Sequence, residues 1–149
     1  MFAEVMREAG YAAYRGRLKT LLGIPEDASE NQIHNRIVDG FPATRLIELC
    51  EKGEMTPLER DQIIPLRTLK TRLSKNQPLT VSESDRLFRA AHITAMAETI
   101  FADRDKAKRW LNKPKERFNG DSPMAMLVTL QGTRQVEEML VQIAEGYSF

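Results

Sequence analysis

An all-α fold is predicted for this chain, and three observations carry the expectation. Apolar residues recur at three- and four-residue spacing along nearly every segment, the period of one face of a helix. Helix start signals, above all the paired capping residues Ser29/Gln32 and Thr56/Glu59, recur along the chain, and glycine or proline follows as a stop. Runs alternating apolar and polar residues, which a half-buried strand requires, are nearly absent.

Taken in order, the first helix is expected over residues 2–22, with Tyr11, Tyr14, Leu18, Leu21 and Leu22 on its apolar face, an interruption at Gly10 and a stop at Gly23-Ile24-Pro25. Ser29 with Gln32 opens a second helix bearing Ile33, Ile37 and Val38, and Gly40 ends it. Phe41-Pro42 starts a third, with Leu46, Ile47, Leu49 and Cys50 inward and Gly53 as the stop. Thr56-Pro57-Leu58-Glu59 is the cleanest start signal, because threonine caps, proline suits the first position and Glu59 completes the box. Pro65 keeps that helix short. A second short helix follows, Leu66–Ser74, with Leu66, Leu69 and Leu73 spaced to anchor it on its predecessor.

Asn76-Gln77-Pro78 reads as a loop. A long helix is expected to open at Ser82, with Asp85 at the box position, and to reach Phe101 through Leu87, Ala90, Ala91, Thr94 and Ala97. Shorter helices are expected over 107–111, 123–130 and 133–144. Asn119-Gly120 is a turn pair that tolerates positive φ, and Ser122 caps a helix with Pro123 at its first position. Val136, Met139, Leu140 and Ile143 form the stripe of the last helix, and Gly146 is its stop. Trp110, in a helical Trp-Leu pair beside a turn, reads as core rather than interface anchor.

With 149 residues the chain makes one domain or two small ones, and the loop suggests a division into residues 1–77 and 78–149. No apolar run approaches the ~18 residues a membrane helix needs. Glu4, Arg7 and Glu8 break up any signal-peptide core. The single cysteine, Cys50, cannot form an internal disulfide. A cytoplasmic protein with no membrane association is therefore expected. The net charge of +1 means that nucleic-acid affinity requires a local basic patch.

Enzyme readings find no constellation. His34 and His92 are isolated, and no paired-cysteine, P-loop or dinucleotide-binding glycine pattern occurs. Glu137 and Glu138 are adjacent on a helix and point in different directions. No catalytic residue, metal or cofactor is expected. The helix 66–74 and Lys75 together hold four cations and no acid, as a recognition helix would. Its candidate DNA contacts are Arg67, Thr68, Lys70, Thr71, Arg72, Ser74 and Lys75, arginine for guanine edges and lysine for phosphate. Glu59 and Asp61 on the preceding helix would have to face away from phosphate. The other reading is a solvated basic surface.

Glu83-Ser84-Asp85-Arg86, Ala97, Trp110-Leu111, Pro114, Gly120, Pro123, Thr129, Gly132 and Val136 stand at a spacing that resembles the C-terminal toxin-binding domain of Xre/MbcA/ParS-type antitoxins, the partners of RES-domain toxins. The similarity runs over residues 79–146, and the basic helix is similar to the recognition helix of Xre-type regulators. The resemblance implies an N-terminal Xre/Cro-like helix-turn-helix part followed by a helical, dimerising toxin-binding domain. It implies an antitoxin that neutralises a RES-domain, NAD-degrading toxin by occluding its active site and represses its own operon at operator DNA. The expected partners are that toxin, DNA and a second copy, a homodimer within a larger toxin–antitoxin assembly. Arg86, Arg89, Gly146, Tyr147, Ser148 and Phe149 are the candidate toxin contacts. Two aromatics on a short tail with a carboxylate suit a plug, or they fold back on their own helix. A stand-alone helix-turn-helix repressor without a toxin, and an assembly module without DNA affinity, are the competing readings.

Overall fold

The computed structural model describes residues 8–146. Among them the helices are α1 (Glu8–Leu22), α2 (Glu30–Asp39), α3 (Ala43–Glu51), α4 (Pro57–Ile63), α5 (Leu66–Ser74), α6 (Val81–Phe101), α7 (Arg104–Asn112) and α8 (Leu130–Ala144), with 3-10 turns at Glu116–Phe118 and Ala125–Val128. No strand occurs among the described residues, so the all-α expectation holds.

Caps set most of the boundaries. At Ser29 and Thr56 the side chain accepts the backbone N–H three residues on, while Gln32 and Glu59 reach back to the cap amide, satisfying two orphan donors at each end. Three details depart from expectation. Gly10 does not interrupt α1. The capping box of α6 is Thr80/Glu83 rather than Ser82/Asp85: the Glu83 amide donates to Thr80 Oγ1 at 3.1 Å and the Thr80 amide to Glu83 Oε1 at 2.9 Å. The expected helix over 123–130 is only the 3-10 turn Ala125–Val128, because Thr129 is extended and accepts the Gly132 amide at 2.9 Å. That cap starts α8 at Leu130. Asp103, unremarked in the sequence, caps α7 by accepting the Lys106 amide at 3.0 Å.

The chain forms two compact units. One is Asp27–Phe88; the other joins the segment ending at Glu26 to the segment beginning at Arg89. These boundaries differ from a single cut between 77 and 78. The physical reason is that α1 carries Tyr14 and Arg17, whose partners His92 and Glu98 lie on the later half of α6.

In the Asp27–Phe88 unit, α3 packs on α4 and α5 around Phe41, Leu46, Ile63, Ile64, Leu69, Leu79 and Leu87, each at most 3% exposed. Burying a side chain of this size stabilises by about 1.5–3 kcal/mol. Gly40, at φ +88°, brings its backbone against Leu79: a Cβ there would lie 2.3 Å from the Leu79 carbonyl oxygen. The Leu79 amide donates to the Phe41 carbonyl at 2.9 Å and the Phe41 amide to Ser84 Oγ at 3.0 Å, pinning the segment before α6.

In the other unit, Leu18, Ile93, Met96, Leu111, Val136, Met139 and Leu140 are each at most 2% exposed. The 3-10 turn Ala125–Val128 packs against α8. Gly132 permits that approach, since a Cβ would lie 1.9 Å from the Met126 carbonyl oxygen.

Candidate functional site

The basic helix α5 follows α4 after only Ile64-Pro65, and Pro65 is its extended N-cap. Its residues divide sharply. Arg67, Lys70, Thr71, Ser74 and the C-cap Lys75 are exposed, Thr68 is half-buried, and Leu69 is buried. Successive helical residues are offset by about 100°, so the first five occupy one face. The hydroxyls of Thr71 and Ser74 donate to the carbonyls of Arg67 and Thr71, each at 3.1 Å. Glu59 is buried and bonded to Thr56, off this surface, whereas Asp61 is exposed and pairs with Arg60.

Two α5 residues stand in settings that local spacing did not indicate. Arg72, a candidate DNA contact, donates Nε and Nη2 to Glu83 Oε1 and Oε2 at 3.2 and 3.1 Å, a two-point pair within the fold. Burial alone would raise the Glu83 carboxyl, but the Arg72 guanidinium and the Thr80 amide and hydroxyl outweigh it and hold the group below its usual value. Leu66, expected to anchor the helix, is 43% exposed, because Leu69 and the half-buried Leu73 turn toward the core instead.

A cleft of about 330 Å³ opens beside the end of α5, lined by Gly40, Pro42, Thr44, Arg72, Asn76 and Pro78.

Arg86 and Arg89 fall in different units and serve as backbone ties in each. Arg86 donates Nε to the Ile63 carbonyl at 3.0 Å, at the end of α4, and Nη1 to Ser82 Oγ at 2.9 Å. Arg89 donates to the Leu127 carbonyl at 2.9 Å, holding the 3-10 turn that precedes α8. Gly146 is exposed at φ +98°. Tyr147, Ser148 and Phe149 lie outside the described residues.

The unit that includes α7 and α8 buries Trp110 to 9% exposure, with the Phe101 ring centroid at 5.6 Å and the Lys115 ammonium 4.9 Å from the indole centroid. Burial, then the neighbouring Lys113, lowers the Lys115 ammonium from its usual value. Trp110 is therefore a core residue. Tyr14 Oη lies 2.5 Å from His92 Nδ1, and His92 Nε2 is 3.6 Å from Glu137, a polar string linking α1, α6 and α8. Burial pushes the Tyr14 phenol well up from its usual value. Val128 and Leu130, flanking the Thr129 cap, are 52% and 50% exposed. Neither stood out in the sequence; the available signal was a pair of apolar residues set at a Thr-x-x-Gly cap.

Residues 96–146, which run from α6 to the end of α8, match the family described as the antitoxin Xre/MbcA/ParS C-terminal toxin-binding domain. The class that this defines is an antitoxin of a toxin–antitoxin system, a protein that works by binding a toxin and not an enzyme. The chain is 68% identical over 147 residues to "Antitoxin Xre" of Pseudomonas putida strain KT2440, covering 99% of this chain and 92% of that protein. It is 30% identical over 84 residues to "Antitoxin Xre" of Photorhabdus laumondii subsp. laumondii, covering 56% and 57%. The chain belongs to the Xre family of antitoxins.

Proposed function

We propose that this antitoxin neutralises a RES-domain, NAD-degrading toxin by binding it and covering its active site. As a homodimer it also represses its own operon by laying α5 in the major groove of operator DNA. The observation that carries the first half is the toxin-binding match over 96–146. The RES identity of the partner rests on the resemblance of residues 79–146 to antitoxins of RES-domain toxins. Neutralisation of this kind asks for occupancy and a blocked pocket, not for transition-state chemistry.

The DNA half is supported by the outward α5 face of Arg67, Lys70, Thr71, Ser74 and Lys75, which carries cations and hydroxyls and no acid. Arginine and lysine there suit phosphate and guanine, and the two-fold symmetry of a dimer would call for half-sites about one helical turn apart. Arg72 would reach DNA only by sharing its guanidinium with Glu83, to which it is paired in the free chain.

Co-expression with a RES-domain protein, followed by light scattering of the purified species and measurement of cellular NAD, tests the first half. A stable complex heavier than either component, with NAD retained, is expected. Two separate species with NAD depleted would overturn it. Deleting residues 147–149 from the co-expressed antitoxin asks whether the tail supplies the block: loss of protection with the complex still formed is expected.

A further inference from the structure

We infer that Leu66 reads the 5-methyl group of a thymine in each operator half-site, giving the antitoxin a base preference that its cations alone do not provide. The inference rests on the DNA-binding half of the proposed function and adds a specificity residue to it.

The leucine spacing of α5 would put Leu66 in the core, yet it stands 43% exposed while Leu69 is fully buried. It is the first residue of the helix, directly after the Pro65 cap. The opening residues of a recognition helix are the ones that meet base edges. Lys70 is its neighbour one turn on, and Arg67 is next to it in sequence, so the leucine stands at the edge of the cationic face, between Lys70 and Leu73. Protein-interface cores are depleted of charge, which makes a protein partner a poor match for an apolar group beside Arg67 and Lys70. A polyanion matches the cations. The apolar group that a major groove presents is the thymine methyl. Leu66 therefore complements a surface whose charges suit phosphate and whose single apolar feature is that methyl.

The test begins with duplexes enriched by the full-length chain from a random-sequence library, whose affinities are read by fluorescence anisotropy at fixed salt. Each thymine of the winning duplex is then replaced by deoxyuridine, which removes only the methyl. Burial of one methyl is worth about a fourfold change in affinity. One position per half-site should show that loss with the unaltered protein and show none with Leu66→Ala. Leu58→Ala removes a leucine that is 73% exposed on α4 and should leave the thymine preference intact. Leu66→Gln keeps the length of the side chain and should shift the preferred base at that position toward adenine, a second readout should the alanine variant misfold.

Failure to enrich any duplex would remove the DNA reading and this inference with it. An enriched duplex whose thymines all tolerate deoxyuridine, or whose sensitivity survives Leu66→Ala or disappears in Leu58→Ala, would overturn the role of Leu66 and leave DNA binding standing.

Discussion

Arg72 and Arg17 each clamp a glutamate of α6, one in each compact unit, and they differ in how deeply the clamp is buried. In Asp27–Phe88, Arg72 gives two nitrogens to Glu83, whose carboxylate also accepts the Thr80 amide and so caps α6 while tying it to α5. In the other unit, Arg17 on α1 pairs in the same two-point manner with Glu98 on α6, the longer contact being 3.2 Å. The Arg17 side chain is 9% exposed and the Arg72 side chain 22%. Around Arg72, Arg67 and Lys70 of α5 and Lys75 at its C-cap stay in solvent. A helix rich in arginine thus says little about available charge until the acids facing it are known. One arginine of α5 is paired within the fold, and the cations near it in sequence are exposed.

The comparison makes the Arg17 clamp the costlier one to break. Glu98→Ala takes the carboxylate away from a deeply buried guanidinium, and removal of one partner of such a pair costs about 3–5 kcal/mol. Urea unfolding followed by circular dichroism should show that loss; a change below about 1 kcal/mol would mean that Arg17 finds equal compensation elsewhere.

Glu83→Gln should cost less, about 2–3 kcal/mol, because Arg72 is partly in water. It also has a pH signature. The Glu83 carboxyl is held below its usual value, so its stabilisation is complete above the ordinary carboxylate pKa of about 4.3 and is lost as pH falls through the lowered folded value. Wild-type stability should therefore drop more steeply than that of the Gln variant between neutral pH and about pH 3. Parallel acid profiles would show that Glu83 is not the group being titrated.

The smallest effect on folding belongs to the outward cations. Arg67→Ala with Lys70→Ala should move stability by no more than about 0.5 kcal/mol, as surface substitutions do. The same pair should weaken DNA binding and flatten its salt dependence by about one unit of slope for each phosphate contact removed. A destabilised double variant would place these residues inside the fold beside Arg72.

Much of the helical outline was legible because caps are local. Ser29/Gln32 and Thr56/Glu59 lie three residues apart, and nothing distant competes for them. Thr80/Glu83 obeys the same rule, but Ser82/Asp85 offers a near-identical pattern two residues on, and the pinning of Leu79 to Phe41 settles which one opens α6. The exposure of Leu66 and the pairing of Arg72 were out of reach of local spacing. Arg72 is held by a carboxylate eleven residues away in sequence, and which leucines of α5 turn inward depends on its packing against α3. The division of the chain was hidden for a similar reason. Tyr14 and Arg17 find partners 78 and 81 residues on, and no composition shift marks such a return.

Gly132 carries a consequence of a different kind. Its hydrogen-sized side lies where a Cβ would stand 1.9 Å from the Met126 carbonyl oxygen. Every single-base change of a glycine codon that alters the residue either adds a Cβ or ends the chain. Seen from the gene, then, the position has no tolerated neighbour, and a saturation library selected for a folded antitoxin should come back with glycine there.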